Sequence, residues 1–169
     1  MGTVLGMGTV RSMSTTMTTD VCGRVSVASS GLVYVPGQPV PVPLRYDLLA
    51  LNQAYTTLLT ERRQRANHAA PAVRFDRNLL AGTLLHNRSM EVADTLYHAA
   101  TPNAELVGTL LEDAPRDPRE LALHIYNRLD RSPGHARLQS DPRLVWVSIS
   151  ATRSYFVVRL SSVPTPLGG

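Results

Sequence analysis

The chain has 169 residues, 17 basic and 13 acidic side chains, a net charge of +4 and 43% hydrophobic content. That length suits one domain with its own core plus an appendage, and is too short for two full domains. The ordinary apolar content excludes a collagenous, disordered or wholly membrane-embedded chain, and no apolar run approaches a membrane span.

Every basic residue is arginine, which fits codon bias in a GC-rich genome better than selection for phosphate contacts. The one dense cluster, Arg62-Arg63-Gln64-Arg65, falls where a helix should end, and positive charge there suits the negative end of the helix dipole. No aromatic residues interleave with it, so nucleic acid is not expected as a partner. Cys22 is the only cysteine, so no intrachain disulfide can form. The first ten residues lack a basic start, a continuous apolar stretch and a cleavage site. The expectation is a soluble protein without a signal peptide.

Residues 1–43 are expected to form an extended N-terminal arm. Met1 to Thr19 is rich in Gly, Ser, Thr and Met, and Val21 to Val27 alternates as a strand would. Ala28-Ser29-Ser30-Gly31 is a turn signal before a second strand-like run, Leu32 to Val35. Pro36 to Pro43 then reads as a polyproline-like linker. A lone two-stranded hairpin is marginal in water, so the arm needs something to pack on. Other protein subunits, engaged by strand addition or draping, are one answer, and the arm's own domain is the other.

From Tyr46 the pattern becomes helical. Asp47 can cap a helix with Leu48, Leu51, Tyr55, Leu58 and Leu59 on one face, ending near Asn67-His68. Pro71 to Asp76 is an extended connection, with Asp76 as the next cap. Leu79, Thr83, His86, Met90, Ala93 and Tyr97 predict one stripe on a long helix, which Pro102 and Asn103 break after His98. Asp117-Pro118-Arg119-Glu120 starts a helix with Leu121, Ile125 and Leu129 buried, and Arg131-Ser132-Pro133-Gly134 stops it. Arg143 to Ser150 and Ser154 to Leu160 predict a closing antiparallel hairpin. The domains are therefore an arm over 1–43, a folded unit over 44–162 and a Pro/Gly tail over 163–169.

The run His86-Asn87-Arg88-Ser89-Met90, then His98, Glu105 and Ser132-Pro133-Gly134-His135, resembles the CAP superfamily in its bacterial SCP-like branch. Asn52 matches an asparagine common in that family's first helix. Pro71-Ala72-Val73-Arg74-Phe75-Asp76 matches its Pro-x-Leu-x-Trp-Asp connection, and Leu79, Thr83, His86 and Met90 match its second helix. The resemblance covers roughly Tyr46 to Ser161. It implies an α+β fold, an α/β/α sandwich of CAP type with a C-terminal antiparallel hairpin. It also implies a cleft formed by His98, Glu105 and His135. The departures are Ala104-Glu105-Leu106 for Gly-Glu-Asn, Leu129 for the tryptophan before Ser-Pro-Gly-His, and a position near Ser132 for a second glutamate.

Two histidines and a carboxylate can ligate a divalent metal such as zinc with an open position. They can equally act as general acid and base, or as hydrogen-bonded remnants with no chemistry. Ser132 is expected to cap the short helix that follows rather than to act as a nucleophile. His86 is expected to be a satisfied core residue, His68 and His124 to be exposed, and Trp146 to pack rather than to stack on a ligand. Fold resemblance licenses no activity by itself. The expectation is a non-enzymatic CAP-like module, a structural or accessory subunit of a larger assembly such as a phage virion, joined through residues 1–43. The alternative is a cleft-based metal- or ligand-binding protein or hydrolase using His98, Glu105 and His135.

Overall fold

The computed structural model describes residues 47–166 and the short strands β1 (Leu32–Val33) and β2 (Val42–Pro43). The segment Val21 to Val27, Cys22 and most of the arm lie outside the described residues. β1, in the run expected to be a strand, pairs antiparallel with β2, which lies in the stretch expected to be a polyproline-like linker. Proline is tolerated at the edge of a sheet, and among the described residues β2 pairs on one side only.

Helix α1 spans Leu48–Ala66. Its cap is the predicted one, with the Asp47 carboxylate accepting from the Ala50 N–H at 3.0 Å. Leu48, Leu51, Tyr55 and Leu59 are buried as expected, and Leu58 lies at the margin of the stripe. The arginine cluster is structural, but only partly because of the dipole. Arg63 is buried and donates from Nε to the Gln139 carbonyl at 2.8 Å and from Nη1 to the Leu144 carbonyl at 2.9 Å. Arg62 stays outside, 5.4 Å above the Tyr126 ring.

Strand β3 (Arg74–Phe75) leads into α2 (Arg77–Ala93), whose N-terminus is capped by Asp76. This helix ends sooner than its apolar stripe predicts. Asp94 adopts a left-handed conformation, φ 47°, and its carboxylate accepts the Tyr155 hydroxyl at 3.0 Å. Tyr97 and His98 are therefore on a loop. Strand β4 (Ala104–Thr109) is an element that the sequence pattern does not predict. Helices α3 (Pro118–Asp130) and α4 (Pro133–Ser140) follow, then the hairpin β5 (Trp146–Ala151) and β6 (Tyr155–Ser161).

The four-stranded sheet has the order β3-β5-β6-β4. β3 runs parallel to β5, and the other two pairs are antiparallel. Strand alternation sends Leu106, Ile149, Phe156, Val158 and Leu160 to one face, where they form the main core with Leu51, Tyr55, Leu59, Leu121 and Ile125. Val107, Tyr155 and Val157 point to the other face and meet Met90 of α2. The fold is thus α+β, with α1 and α3 on one side of the sheet and α2 on the other. Among the described residues no helix is long and apolar enough to cross a membrane.

The α2 interface is largely polar. Thr83 bonds Ser148, Asn87 donates to Ser150 at 2.9 Å, and the Thr152 hydroxyl lies within hydrogen-bond reach of Asn87 Oδ1 and Glu91 Oε2. Buried hydroxyls and amides cost little when each finds a partner, and here they do. The chain after β6 returns to the same helix, with the Thr165 N–H donating to Asp76 at 2.7 Å.

Asn52 completes the sheet. β3 covers β5 only at Trp146 and Val147, so Ile149 has no neighbouring strand on that side. The Asn52 carboxamide takes that place, accepting from the Ile149 N–H and donating to its carbonyl, each at 2.8 Å. Asn52→Ala leaves both groups buried and unpaired. It should cost about 2–4 kcal/mol, read as a fall in the urea midpoint with the denaturant slope unchanged.

Candidate functional site

Glu105 is placed by strand periodicity. In β4 it faces the α2 layer while Leu106 faces the main core. Leu106 therefore replaces the asparagine of the family's motif without filling the space beside Glu105. Leu129 is likewise in the core, away from it.

Both oxygens of the Glu105 carboxylate are engaged. Oε2 accepts from Arg159 Nε at 2.9 Å, across the β4–β6 register pair. Oε1 accepts from the Ala99 N–H at 2.8 Å and lies 3.4 Å from His98 Nδ1 and 3.5 Å from His86 Nε2. Glu105 and Arg159 are each 8% exposed, so this is a buried, hydrogen-bonded ion pair.

His86 is the satisfied core histidine that the sequence predicts, but it also belongs to this cluster. Its Nε2 lies 2.8 Å from the Tyr97 carbonyl, which can only accept, so that nitrogen carries a proton. The Tyr97 ring packs edge-on against the imidazole at 4.9 Å. These contacts fix the loop that follows α2, and so fix where His98 emerges. The His98 side chain is 59% exposed.

His135 sits in the first turn of α4, half-buried. Its pKa is held below the ordinary imidazole value, first by burial and then by the charge of nearby His98. α4 is itself pinned from beneath: the Tyr55 hydroxyl donates to Gln139 Oε1 at 2.6 Å, and Arg63 takes the Gln139 carbonyl. Of the three residues singled out in the sequence, the structure sets His98 beside Glu105, while His135 is linked to His98 only by the electrostatic effect on its pKa. Ser132 holds the N-cap position of α4, but its side chain makes no capping bond.

Sequence reasoning missed Arg159, the main-chain N–H of Ala99 and the shared role of His86. Arg159 left a readable signal, being a lone charge at an inward-facing position of an otherwise apolar strand. Such a residue needs an acidic partner nearby. Contact between Ala99 and Glu105 had no signal, because it depends on the path of a loop.

The other predicted positions fall as follows. His68 is exposed. His124, expected to be exposed, is half-buried, with Nε2 enclosed and unpaired among the described residues. Burial, ahead of the Arg128 charge, lowers its pKa. Trp146 is half-buried beneath the Arg74 guanidinium, 5.6 Å away. A surface groove lies elsewhere, between α1 and the start of α3, lined by Ala54, Leu58, Pro118 and Leu123, and it contains no histidine.

Metal ligation fits this arrangement poorly. Among the described residues no three His, Cys, Asp or Glu side chains are grouped as ligands, and Glu105 already has partners on both oxygens.

No family model matches the chain, and no curated protein matches it. Solved structures do. An outer surface protein from Borrelia burgdorferi superposes with a TM-score of 0.53 at 13% identity, over 68% of this chain and 93% of that one. An extracellular protein containing an SCP domain, from Bacillus anthracis str. Ames, gives a TM-score of 0.52 at 11% identity. It is matched over 69% of this chain and 41% of its own length. At such identities the likeness concerns the fold alone. The chain has an SCP-like, CAP-type fold.

Two outcomes are expected. Glu105→Ala leaves the Arg159 guanidinium buried without its counter-charge and should cost about 3–5 kcal/mol in chemical denaturation. His135 should titrate below the ordinary imidazole pKa when followed by NMR, and His98→Ala should raise its pKa only in part, because burial is the larger cause. The sign for stability follows from the depressed value. The unfolded chain takes up this proton more readily, so stability falls as pH drops through the ordinary imidazole pKa toward the folded one.

Proposed function

We propose that this chain is a non-catalytic SCP-like module, a structural or accessory subunit of a larger assembly, joined to its partners through the arm of residues 1–43. A virion is one such assembly. The observation that carries the non-catalytic half is the state of Glu105. Its carboxylate is neutralised by Arg159 and bonded on both oxygens, so no free carboxylate is left to act as a general base beside the histidines. A base must reach its proton directly or through one water. The arm's composition and strand-like runs support the assembly half.

Removing residues 1–43 should abolish incorporation into the assembly while the far-UV circular dichroism of the remaining domain stays that of a folded α+β protein. Undiminished incorporation would sink the assembly half. Esterase or peptidase turnover that Glu105→Gln abolishes without unfolding the chain would sink the non-catalytic half.

A second reading rests on the imidazole pair. Burial, and then His98, lower the His135 pKa and so favour the neutral form, and neutral imidazoles are the ligating form. His98 and His135 would then form a binding site for a small ligand or for a weakly held divalent ion such as zinc, with Glu105 orienting His98 rather than ligating. Zinc titration by calorimetry should show binding that His98→Ala and His135→Ala each remove. Heat that survives both substitutions would exclude this pair.

A further inference from the structure

We propose that the outer edge of β4 pairs with the same edge of a second copy of this chain, making one continuous sheet across a twofold axis at Val107.

Hydrogen-bond phase decides which residues of β4 face outward. The β4–β6 register places Leu106 opposite Val158 and Gly108 opposite Phe156. The same register continues to Leu110 and Ser154, where the Leu110 N–H donates to the Ser154 carbonyl at 2.6 Å. In an antiparallel ladder, bonded pairs alternate with unbonded ones. Ala104, Leu106 and Gly108 therefore turn their main-chain groups toward β6. Glu105, Val107 and Thr109 turn theirs away. The β5–β6 pair gives the same phase independently: the Thr152 N–H bonds the Tyr155 carbonyl, so the odd residues of β6 face β5 and its even residues face β4.

β4 is the last strand of its sheet. Among the described residues, no hydrogen bond reaches the main-chain N–H or C=O of Glu105, Val107 or Thr109. The strand is six residues long, and within it three protections of an edge are absent: it holds no proline, lysine or bulge, and its one charge is cancelled by Arg159.

The outward positions suit a copy of themselves. They are evenly spaced and centred on Val107, so antiparallel pairing about that residue sets Val107 against its equivalent. Glu105 then faces Thr109 at either end. All three are bonded pairs in phase, and no like charges are opposed. Gly108, over which the Phe156 ring closes so that no Cβ would fit, adds no bulk to the intervening pair.

This inference deepens the assembly reading by naming a second contact surface. Its experiment leaves the arm in place, so a failure here is separate from a failure of the arm's role. Light scattering on the full chain should give twice the chain mass, falling to one on dilution. Amide exchange should show Glu105, Val107 and Thr109 slow in the associated form and fast in the dilute one, with Leu106 and Gly108 slow in both. Thr109→Pro removes an outward donor from each copy and spares the β6 ladder, so it should weaken association by about tenfold or more while the circular dichroism is kept. The proposal is overturned by a monomer at every concentration, and by association with the odd amides still fast. It is also overturned by odd-amide protection that ignores concentration, which would assign the edge to the chain's own arm.

Discussion

A carboxylate and a guanidinium, both withdrawn from water on one face of a sheet, set the terms for the rest of this domain. Glu105 and Arg159 lie opposite each other on β4 and β6, so the register that pairs those strands also pairs the charges. A slip of one residue would send each to the main core, where Leu106 and Leu160 now sit. The pair thus penalises every wrong register by the cost of burying unpaired charge. It also dictates what lies above it. Gly82 of α2 stands where a Cβ would fall 2.5 Å from Arg159 Nη1, so a larger residue there would displace the end of the Arg159 side chain.

From this pair the histidine cluster follows. The carboxylate oxygen left over by Arg159 collects the Ala99 N–H and approaches His86 and His98. A group with the chemistry of a general base thereby becomes the anchor of a loop. His98 is held at the surface by contacts beneath it, and His135 is presented on a helix that Gln139, Tyr55 and Arg63 fasten from below.

Polar side chains take over in this fold a task that backbone performs elsewhere. Asn52 stands in for the strand that β3 is too short to supply, and Thr83, Asn87 and Thr152 stitch α2 to β5. Such contacts add specificity because each has one geometry in which all partners are satisfied. The outer edge of β4 is one place among the described residues where this satisfaction stops.

Elements whose signals are local were legible in the order of residues alone. The caps at Asp47, Asp76 and Asp117, the buried stripes of α1 and α3, and the closing hairpin belong here, because caps and periodicity are properties of adjacent residues. Resemblance also singled out His98, Glu105 and His135. What those residues touch became readable only once the chain was folded. The end of α2 at Asp94, the strand character of β4, the half-burial of His124 and the pairing of Glu105 with Arg159 depend on contacts between residues far apart in the chain. A stripe of apolar residues running on to Tyr97 looks helical until a left-handed aspartate turns the chain. A lone arginine in a strand looks misplaced until the neighbouring strand brings its carboxylate. Local pattern fixes where elements begin and which face they bury, and the register of the sheet fixes which charges meet.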